Sequence, residues 1–327
     1  MAVMTYIQAI TSTLKEEMER DEKVFILGQD VGKKGGVFLA TDGLYDEFGD
    51  ERVIDAPLAE SAIAGVGIGA AMYGMRPIAE IQFADFILPA VNQIISEAAK
   101  IRYRSNNDWD CPITIRAPYG GGINGALYHS QSVEAIFANQ PGLKIVMPST
   151  PYDAKGLLKA AIRDNDPVLF FEHKRAYRLL RDEVPEEDYV LPLGKADIKR
   201  EGSDVTVITY GLCVHFALQA AEKLAEEGID AHILDLRTVY PLDQEAIIEA
   251  ANKTGKVLLI TEDNKEGSII SEVAAIIAEN CLFELDAPIQ RLAGPDVPAM
   301  PYAPTLEDYF MINPDQVEKA IRDLAEF

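Results

Sequence analysis

Residues 55–61 read Asp-Ala-Pro-Leu-Ala-Glu-Ser and lead directly into an apolar run over residues 62–74, Ala-Ile-Ala-Gly-Val-Gly-Ile-Gly-Ala-Ala-Met-Tyr-Gly. A strand predicted over Val53–Asp55 therefore leads into a buried helix that begins near Glu60. No other charge follows until Arg76, so the Glu60 carboxylate lies where water is scarce. Two interpretations stay open: a negative charge placed at the positive end of a helix dipole, or a carboxylate with a chemical task.

Short β-branched runs alternate with helical patterns on either side of this stretch. Strands are predicted over Val24–Leu27, Val53–Asp55, Pro77–Gln82, Ile113–Arg116, Leu143–Met147 and Val168–Phe171. Helices are predicted over Tyr6–Arg20, Phe86–Tyr103 and Tyr152–Arg163. Such alternation indicates a parallel sheet that is covered by helices on both faces, which is the α/β class.

A charged stretch with two prolines interrupts this rhythm from Glu172 to about Gly194 and is predicted to be a linker. The alternation then resumes. Strands are predicted over Val205–Tyr210, Ile233–Leu236, Val257–Thr261 and Pro288–Leu292, and helices over Leu212–Glu227 and Asp315–Glu326. We therefore predict two doubly wound α/β domains, residues 1–184 and 185–327.

The composition excludes several classes of partner. Thirty basic residues against 53 acidic ones give a net charge of −23, so nucleic acid is not expected as a partner. No apolar stretch reaches the ~18 residues of a membrane span, and no signal peptide is visible, so no membrane partner is expected. The three cysteines are widely spaced and odd in number, which predicts a reducing, cytoplasmic setting.

Three further features bear on chemistry. The glycines at 65, 67 and 69 lie inside the predicted helix, so they indicate close packing rather than a dinucleotide-binding turn, which needs a strand immediately before it. The glycine-rich loop over residues 116–125 directly follows a strand and is therefore placed to approach a ligand, although a flexible surface loop is equally compatible. His129 lies just beyond this loop; it can exchange a proton near neutral pH, or it can be structural.

Six motifs occur in order along the whole chain: Ala-Pro-Leu-Ala-Glu-Ser (56–61), Glu-Ile-Gln-Phe-Ala-Asp-Phe (80–86), Ile-Arg-Tyr-Arg-Ser (101–105), Ala-Leu-Tyr-His-Ser-Gln (126–131), Pro-Ser-Thr-Pro-Tyr-Asp-Ala-Lys-Gly (148–156) and Asp-Leu-Arg-Thr-Val-Tyr-Pro-Leu-Asp (235–243). With them the chain resembles the beta subunits of the thiamine-diphosphate-dependent, decarboxylating component of 2-oxo acid dehydrogenase complexes. The motif at 126–131 is most similar to the branched-chain type. The resemblance implies a pyrimidine-binding first domain and a transketolase C-terminal-like second domain.

The resemblance also implies roles for particular residues. Glu60 is the catalytic carboxylate that bonds to the aminopyrimidine ring of thiamine diphosphate. Phe86 packs on that ring, and Leu58 and Gln82 complete the cofactor-binding set. His129 is the second catalytic residue, implicated in steps that involve the 2-oxo acid or the lipoyl group.

The Gly-Asp-Gly motif with a downstream Asn, which holds Mg²⁺ and diphosphate in thiamine enzymes, is absent from this sequence. In the family it lies on the alpha subunit, so the chain is expected to supply half of a site in an assembly of two alpha and two beta subunits. A second implied partner is the subunit-binding domain of a lipoyl acyltransferase, for which the glutamates at 186, 187, 222, 226 and 227 offer acidic surface. Gln29 stands where the family usually has Glu, and Asn124 where branched-chain members often have His.

A potassium site is implied at the turn over residues 163–167, with Ile113, Ala161, Asp164 and Asp166 as the ligands. The alternative is an ordinary Asp/Asn/Pro turn. Two other functions stay open from the sequence: a pyruvate- or acetoin-type dehydrogenase beta subunit, and a non-catalytic dinucleotide-binding subunit that takes part in electron transfer.

Overall fold

The structure is a computed structural model that describes residues 1–327. The chain divides into two compact units: residues 1–119 with 136–193, and residues 120–135 with 194–327. The chain thus passes from the first unit into the second at residue 120 and re-enters the first unit at residue 136. The predicted division between residues 184 and 185 is a single point along the chain, whereas the units are discontinuous.

Unit 1 contains a parallel sheet and a separate antiparallel pair of strands. Its strands are β1 (Ala2–Thr5), β2 (Val24–Gly28), β3 (Val53–Asp55), β4 (Arg76–Glu80), β5 (Thr114–Tyr119), β6 (Lys144–Val146), β7 (Val168–His173) and β8 (Arg181–Val184). Its helices are α1 (Tyr6–Arg20), α2 (Leu44–Phe48), α3 (Glu60–Met72), α4 (Ile101–Arg104), α5 (Glu134–Phe137, where the chain re-enters the unit), α6 (Pro151–Arg163) and α7 (Ala176–Leu179).

Six of these strands are parallel and lie in the order β6-β7-β5-β4-β2-β3. From β2 the chain moves to β3 on one side, and from β4 it moves to β5 on the other. The carboxyl ends of β2 and β4 therefore flank a point where the connections diverge. Ligands of open α/β sheets bind outside the strand ends at such a point. We call this place the β2/β4 crevice.

The local sequence explains the helix that packs beneath this sheet. Thr5 caps α1 through a reciprocal capping box with Gln8, and the helix covers Tyr6–Arg20 as predicted. Its buried side chains share a core with those of α6, among them Ile10, Leu14 and Leu157. The predicted strands are confirmed to within a few residues.

The prediction of one helix over Phe86–Tyr103 is wrong. The structure has a 3₁₀ segment over Ala84–Ala90, a π-type turn over Gln93–Glu97, a second 3₁₀ turn over Ala98–Lys100 and then α4. Pro89 lies within the first segment and has no N–H to donate, so a regular α-helical ladder cannot pass through it.

The prediction of a linker over residues 172–194 is also wrong in part. Strand β7 continues to His173, α7 follows, and β8 pairs antiparallel with β1. The three charged side chains of β8 are all exposed, and the strand belongs to a two-stranded sheet. Glu186 and Glu187 fall within unit 1.

Unit 2 contains six strands and several helices; five of the strands form one sheet, and β12 is not part of that sheet. Its strands are β9 (Asp197–Arg200), β10 (Val205–Thr209), β11 (Ala231–Asp235), β12 (Thr238–Tyr240), β13 (Val257–Asn264) and β14 (Gln290–Gly294), and its long helices are α8 (Cys213–Glu226), α9 (Gln244–Thr254), α10 (Ile269–Asn280), α11 (Pro304–Phe310) and α12 (Pro314–Ala325). The sheet order is β14-β13-β10-β11-β9, with only β9 antiparallel to its neighbour. No helix of the chain is both long and apolar enough to cross a membrane.

Candidate active site

Glu60 is the first residue of α3, and its side chain is half-buried. The residue before the helix, Ala59, provides no side-chain cap, so the carboxylate stands beside uncapped N–H groups at the positive end of the helix dipole. Leu58, on the loop that enters the helix, is 71 % exposed.

Gln82 lies at the carboxyl end of β4 and spans the β2/β4 crevice. Its side-chain amide donates to the carbonyl oxygen of Gln29 at 3.2 Å and to the Asp30 carboxylate at 3.1 Å. Asp30 has a positive φ of 61°, a conformation that Asp and Asn tolerate better than most residues. The amide of Gln82 thus fixes the loop after β2 against the end of β4.

Phe86 is half-buried and packs edge-on against Phe83, with ring centroids 5.8 Å apart. Phe83 in turn packs edge-on against Phe38 at 5.4 Å. Helix α3 contacts the 3₁₀ segment that carries Phe86, so the elements that bear Glu60 and Phe86 are held together. Unit 1 therefore collects a carboxylate, an amide and a partly open aromatic ring on adjoining elements.

The glycines of α3 are predicted to permit close packing, and Gly67 does so. A Cβ at Gly67 would lie 2.8 Å from the Cδ1 of Ile113 and 3.7 Å from the Cβ of Ala79. Gly67 therefore permits α3 to pack closely on the sheet beneath it. The interpretation as a packing residue is confirmed at Gly67 only: a Cβ at Gly65 would make an ordinary contact of 3.8 Å with Gln93, and one at Gly69 would meet nothing within 4 Å.

A buried ion network lies below the crevice and was not predicted from the sequence. The Arg116 guanidinium donates to both carboxylate oxygens of Glu172, at 2.6 and 2.7 Å, and to Glu80 at 2.7 Å. The hydroxyl of Tyr177 donates to Glu172 at 2.6 Å. Burial raises the pKa of Glu80, while the charge of Arg116 opposes that rise. We call these four residues the arginine network.

Residues 120–125 of the glycine-rich loop belong to unit 2, and three of their N–H groups bond to carboxylates within that unit. Glu262 accepts a hydrogen bond from the N–H of Gly121 at 2.6 Å. Glu307 accepts from the N–H of Gly122 at 2.9 Å and from that of Asn124 at 3.1 Å. The main-chain N–H groups at these three positions are therefore already bonded to carboxylates, and the approach of the loop to a ligand stays a prediction. We call Glu262 and Glu307 the loop clamp.

His129 follows this loop and is half-buried. It ends a short 3₁₀ turn over Ala126–Tyr128. A Cβ at Gly125 would lie 2.7 Å from the carbonyl oxygen of His129 and 2.8 Å from its Cβ, so only glycine fits there. The sequence Gly-Ala-Leu-Tyr-His thus folds back on itself and fixes where the histidine leaves the loop.

Unit 2 also contains a second group of acidic residues, Glu134, Glu262 and Asp263. Glu134 is 1 % exposed. One of its oxygens accepts from the Tyr210 hydroxyl at 2.7 Å, and the other has no hydrogen-bonding partner. Burial, assisted by the charge of Asp263, raises the pKa of Glu134 to about 8. Burial likewise raises the pKa of Asp263 to about 6. Asp263 and Glu262 line a cleft of about 60 Å³.

The residues predicted to hold potassium are engaged in ion pairs. Both carboxylate oxygens of Asp164 accept from the Lys144 ammonium, at 2.8 and 2.7 Å, and Asp166 pairs with Arg102 at 2.5 Å. The carbonyl oxygens of Ile113 and Ala161 accept main-chain hydrogen bonds, from Val168 at 3.0 Å and from Asp164 at 3.3 Å. No cluster of three or more His, Cys, Asp or Glu side chains has the arrangement to hold a metal ion.

Comparison with known proteins defines the class. A family model described as transketolase, pyrimidine binding domain, matches residues 2–179, and one described as transketolase, C-terminal domain, matches residues 194–317. The solved structure of a split gene transketolase, an inactive beta4 tetramer, superposes with a TM-score of 0.80 over 99 % of this chain and 98 % of that chain. At 23 % identity this likeness shows the fold alone.

The curated relatives narrow the class to a family. The chain is 81 % identical to the 2-oxoisovalerate dehydrogenase subunit beta of Bacillus subtilis strain 168 over 327 residues, which is 100 % of both chains. It is 48 % identical, again over the full length of both, to the pyruvate dehydrogenase E1 component subunit beta of the same organism. The chain therefore belongs to the family of 2-oxo acid dehydrogenase beta subunits.

Proposed function

We propose that this chain is the beta subunit of a branched-chain 2-oxo acid dehydrogenase. With an alpha subunit it carries out the thiamine-dependent oxidative decarboxylation of a 2-oxo acid and the reductive acylation of a lipoyl group. The observation that carries the proposal is the 81 % identity over the whole chain to a 2-oxoisovalerate dehydrogenase subunit beta, against 48 % to a pyruvate dehydrogenase one. The residues of the β2/β4 crevice support it independently.

The crevice fits the aminopyrimidine end of thiamine diphosphate. Glu60 makes no hydrogen bond or ion pair within this chain, so its carboxylate is available to accept a proton from a ring nitrogen. Phe86 offers a partly open aromatic face, and Leu58 an exposed apolar side chain. The bound cofactor supplies a carbon nucleophile at its thiazolium ring, while the protein orients the cofactor and sets its protonation.

Within this division of labour Glu60 holds or releases the proton at the pyrimidine. Gln82 keeps the loop after β2 closed on β4, and so would hold in place the residues that receive the aminopyrimidine ring. Phe86 would shield that ring from water. His129 is proposed to act near the 2-oxo acid or the lipoyl group, where an imidazole can move a proton at neutral pH.

An alpha subunit is the first proposed partner, in an assembly of two alpha and two beta chains. The sequence holds no Gly-Asp-Gly motif with a downstream Asn, so the alpha subunit would bring the Mg²⁺ and diphosphate ligands. A potassium ion would be held by main-chain carbonyls such as those of Ile113 and Ala161, because Lys144 and Arg102 already neutralise the two aspartates. The three cysteines are free and buried, which suits a reducing, cytoplasmic setting.

The second proposed partner is the subunit-binding domain of a lipoyl acyltransferase. Glu222 and Glu226 are exposed on α8, whereas Glu227 is paired with Arg322 at 2.7 Å. Exposed carboxylates attract a basic partner through interactions that salt screens. Affinity for the acyltransferase domain should therefore fall as salt rises from about 0.05 to about 0.5 M. Binding that does not change with salt would contradict electrostatic docking.

The proposed activity is tested with the purified assembly. The chain is co-expressed with its alpha partner, supplied with thiamine diphosphate and Mg²⁺, and assayed on a panel of 2-oxo acids with an artificial electron acceptor. We expect turnover only with the alpha partner, and at least a roughly tenfold higher kcat/KM, equivalent to about 1.4 kcal/mol, for branched-chain acids than for pyruvate. A preference for pyruvate or activity on acetoin would reassign the substrate, and a bound flavin or nicotinamide without turnover would support an electron-transfer subunit.

A further inference from the structure

The loop over residues 120–125 adopts an unfavourable backbone path. Gly120 and Gly122 have φ values of 85° and 82°, and the non-glycine residues Asn124 and Ala126 have values of 56° and 52°. A left-handed conformation costs an alanine roughly 1–2 kcal/mol, so the surrounding structure must hold it in place. The path ends at His129.

Three side-chain contacts from the loop clamp hold it. The two carboxylates come from β13 and α11, which lie 141 and 185 residues further along the chain. Glu307 is 4 % exposed and Glu262 is 8 % exposed. Carboxylate hydrogen bonds to main-chain N–H groups are about twice as strong as neutral ones. Glu307 forms no ion pair, so the loop N–H groups are its main compensation for burial.

Packing acts in the same direction. A Cβ at Gly121 would lie 2.4 Å from Met300 and 2.7 Å from Met311, so the loop lies directly on these two side chains. Met311 follows α11, the helix that carries Glu307. The N–H of Gly120 also donates to the carbonyl of Gln131 at 3.1 Å, which closes the segment behind His129.

We propose that Glu307, assisted by Glu262, is a positioning residue that fixes His129 for its step by holding the strained loop over residues 120–125 through its N–H groups. The role assigned to His129 rests on the proposed function. That Glu307 and Glu262 hold the loop does not depend on the proposed function, because it follows from the hydrogen bonds alone. Glu307 does not touch the reacting atoms.

The test compares Glu307→Ala, Glu307→Gln and the control Asp308→Asn in the alpha–beta assembly. Asp308 is exposed on the same helix, so its variant removes the same charge without touching the loop. Glutamine keeps the oxygen that receives both N–H groups but loses the second acceptor, so its effect should lie between those of alanine and wild type. Three quantities are measured: amide hydrogen exchange, the rate at which diethyl pyrocarbonate acylates His129, and turnover.

For Glu307→Ala we expect exchange over residues 120–130 to accelerate by at least about tenfold, with the rest of unit 2 unchanged. The acylation rate of His129 should rise by at least about threefold, since the loosened segment opens more often to the reagent. Lipoyl acylation should fall by about tenfold or more, and decarboxylation with an artificial acceptor by less. Asp308→Asn should match wild type in all three.

Unchanged loop exchange in Glu307→Ala would overturn the proposal. So would acceleration spread evenly over unit 2, because Glu307 would then serve general stability. A loosened loop with unaltered His129 acylation and unaltered lipoyl transfer would also overturn it. Absence of turnover in the wild-type assembly would instead contradict the proposed function, while exchange and His129 acylation would still decide the role of Glu307.

Discussion

The arginine network of unit 1 and the loop clamp of unit 2 both contain buried carboxylates, but the charge of these carboxylates is compensated in different ways. In the network the carboxylates of Glu80 and Glu172 are neutralised by a buried cation, Arg116. In unit 2 Glu307 is compensated by main-chain N–H groups, and Glu134 by the Tyr210 hydroxyl. Of these carboxylates, burial raises the pKa of Glu80, which Arg116 opposes, and raises that of Glu134 to about 8, where no cation opposes the rise.

This difference separates what a mutation should do in each unit. Breaking the network leaves an uncompensated charge in a dry sheet, so the cost falls on folding. Breaking the contacts of Glu307 frees a loop, so the effect is on the position of that loop. Replacing Glu134 removes a titrating group, so the effect is on the pH dependence of stability. Glu60 belongs to neither group, and the same reasoning predicts that its loss affects chemistry alone.

The largest effect is expected from Glu60→Gln in the alpha–beta assembly. The amide keeps the shape of the side chain but cannot accept a proton, so kcat for decarboxylation should fall by about 10²–10⁴-fold. The melting temperature should not change, and Glu51→Gln, at an exposed glutamate of the same unit, should behave as wild type. Near-normal turnover would remove Glu60 from the mechanism.

Arg116→Met should have the next largest effect, and on stability. It leaves Glu80 and Glu172 buried without their cation, at a cost of about 3–5 kcal/mol in the free energy of unfolding. The loss should be smaller at pH 5 than at pH 8, because burial raises the pKa of Glu80 and a proton can then neutralise that carboxylate in place of the cation. Urea unfolding measures both, with Arg178→Met, an exposed arginine, as control. An equally stable variant would show that the network contributes no stability.

Glu134→Gln should have a smaller effect that depends on pH. In the folded chain the pKa of Glu134 is raised to about 8 and that of Asp263 to about 6, so both bind protons more tightly than in the unfolded chain. The stability that these two groups contribute is therefore fully present below their unfolded pKa, near 4. It is lost as the pH rises through the folded pKa values of about 6 and 8. Glu134→Gln should flatten this loss and raise the melting temperature at pH 8 by about 2–4 °C for each kcal/mol recovered. A pH profile parallel to that of wild type would contradict the assignment.

Local signals in the sequence predict part of this picture. The helical pattern over Tyr6–Arg20 places α1 correctly, and Glu60 is recognisable as the start of α3 because a strand and a proline-containing turn precede it. The helix predicted across Pro89 fails because one proline outweighs a favourable pattern on both sides.

The buried charges could not be predicted in the same way. Arg116 meets partners 36 and 56 residues away, and Glu307 meets the loop from 185 residues away. No local pattern encodes such pairings, since they arise only when parallel strands and returning helices bring the residues together. The one available signal is a charged residue within an otherwise apolar strand, as at Arg116 in β5.

The central claim is that this chain supplies one half of a thiamine site, the half that contains Glu60. Calorimetric titration of thiamine diphosphate with Mg²⁺ tests it directly, first on the chain alone and then on the chain assembled with its alpha partner. We expect no binding tighter than about 1 mM to the chain alone and a Kd near or below about 10 μM for the assembly, a gain of at least ~2.7 kcal/mol. Binding at about 10 μM or tighter by the chain alone would contradict the claim.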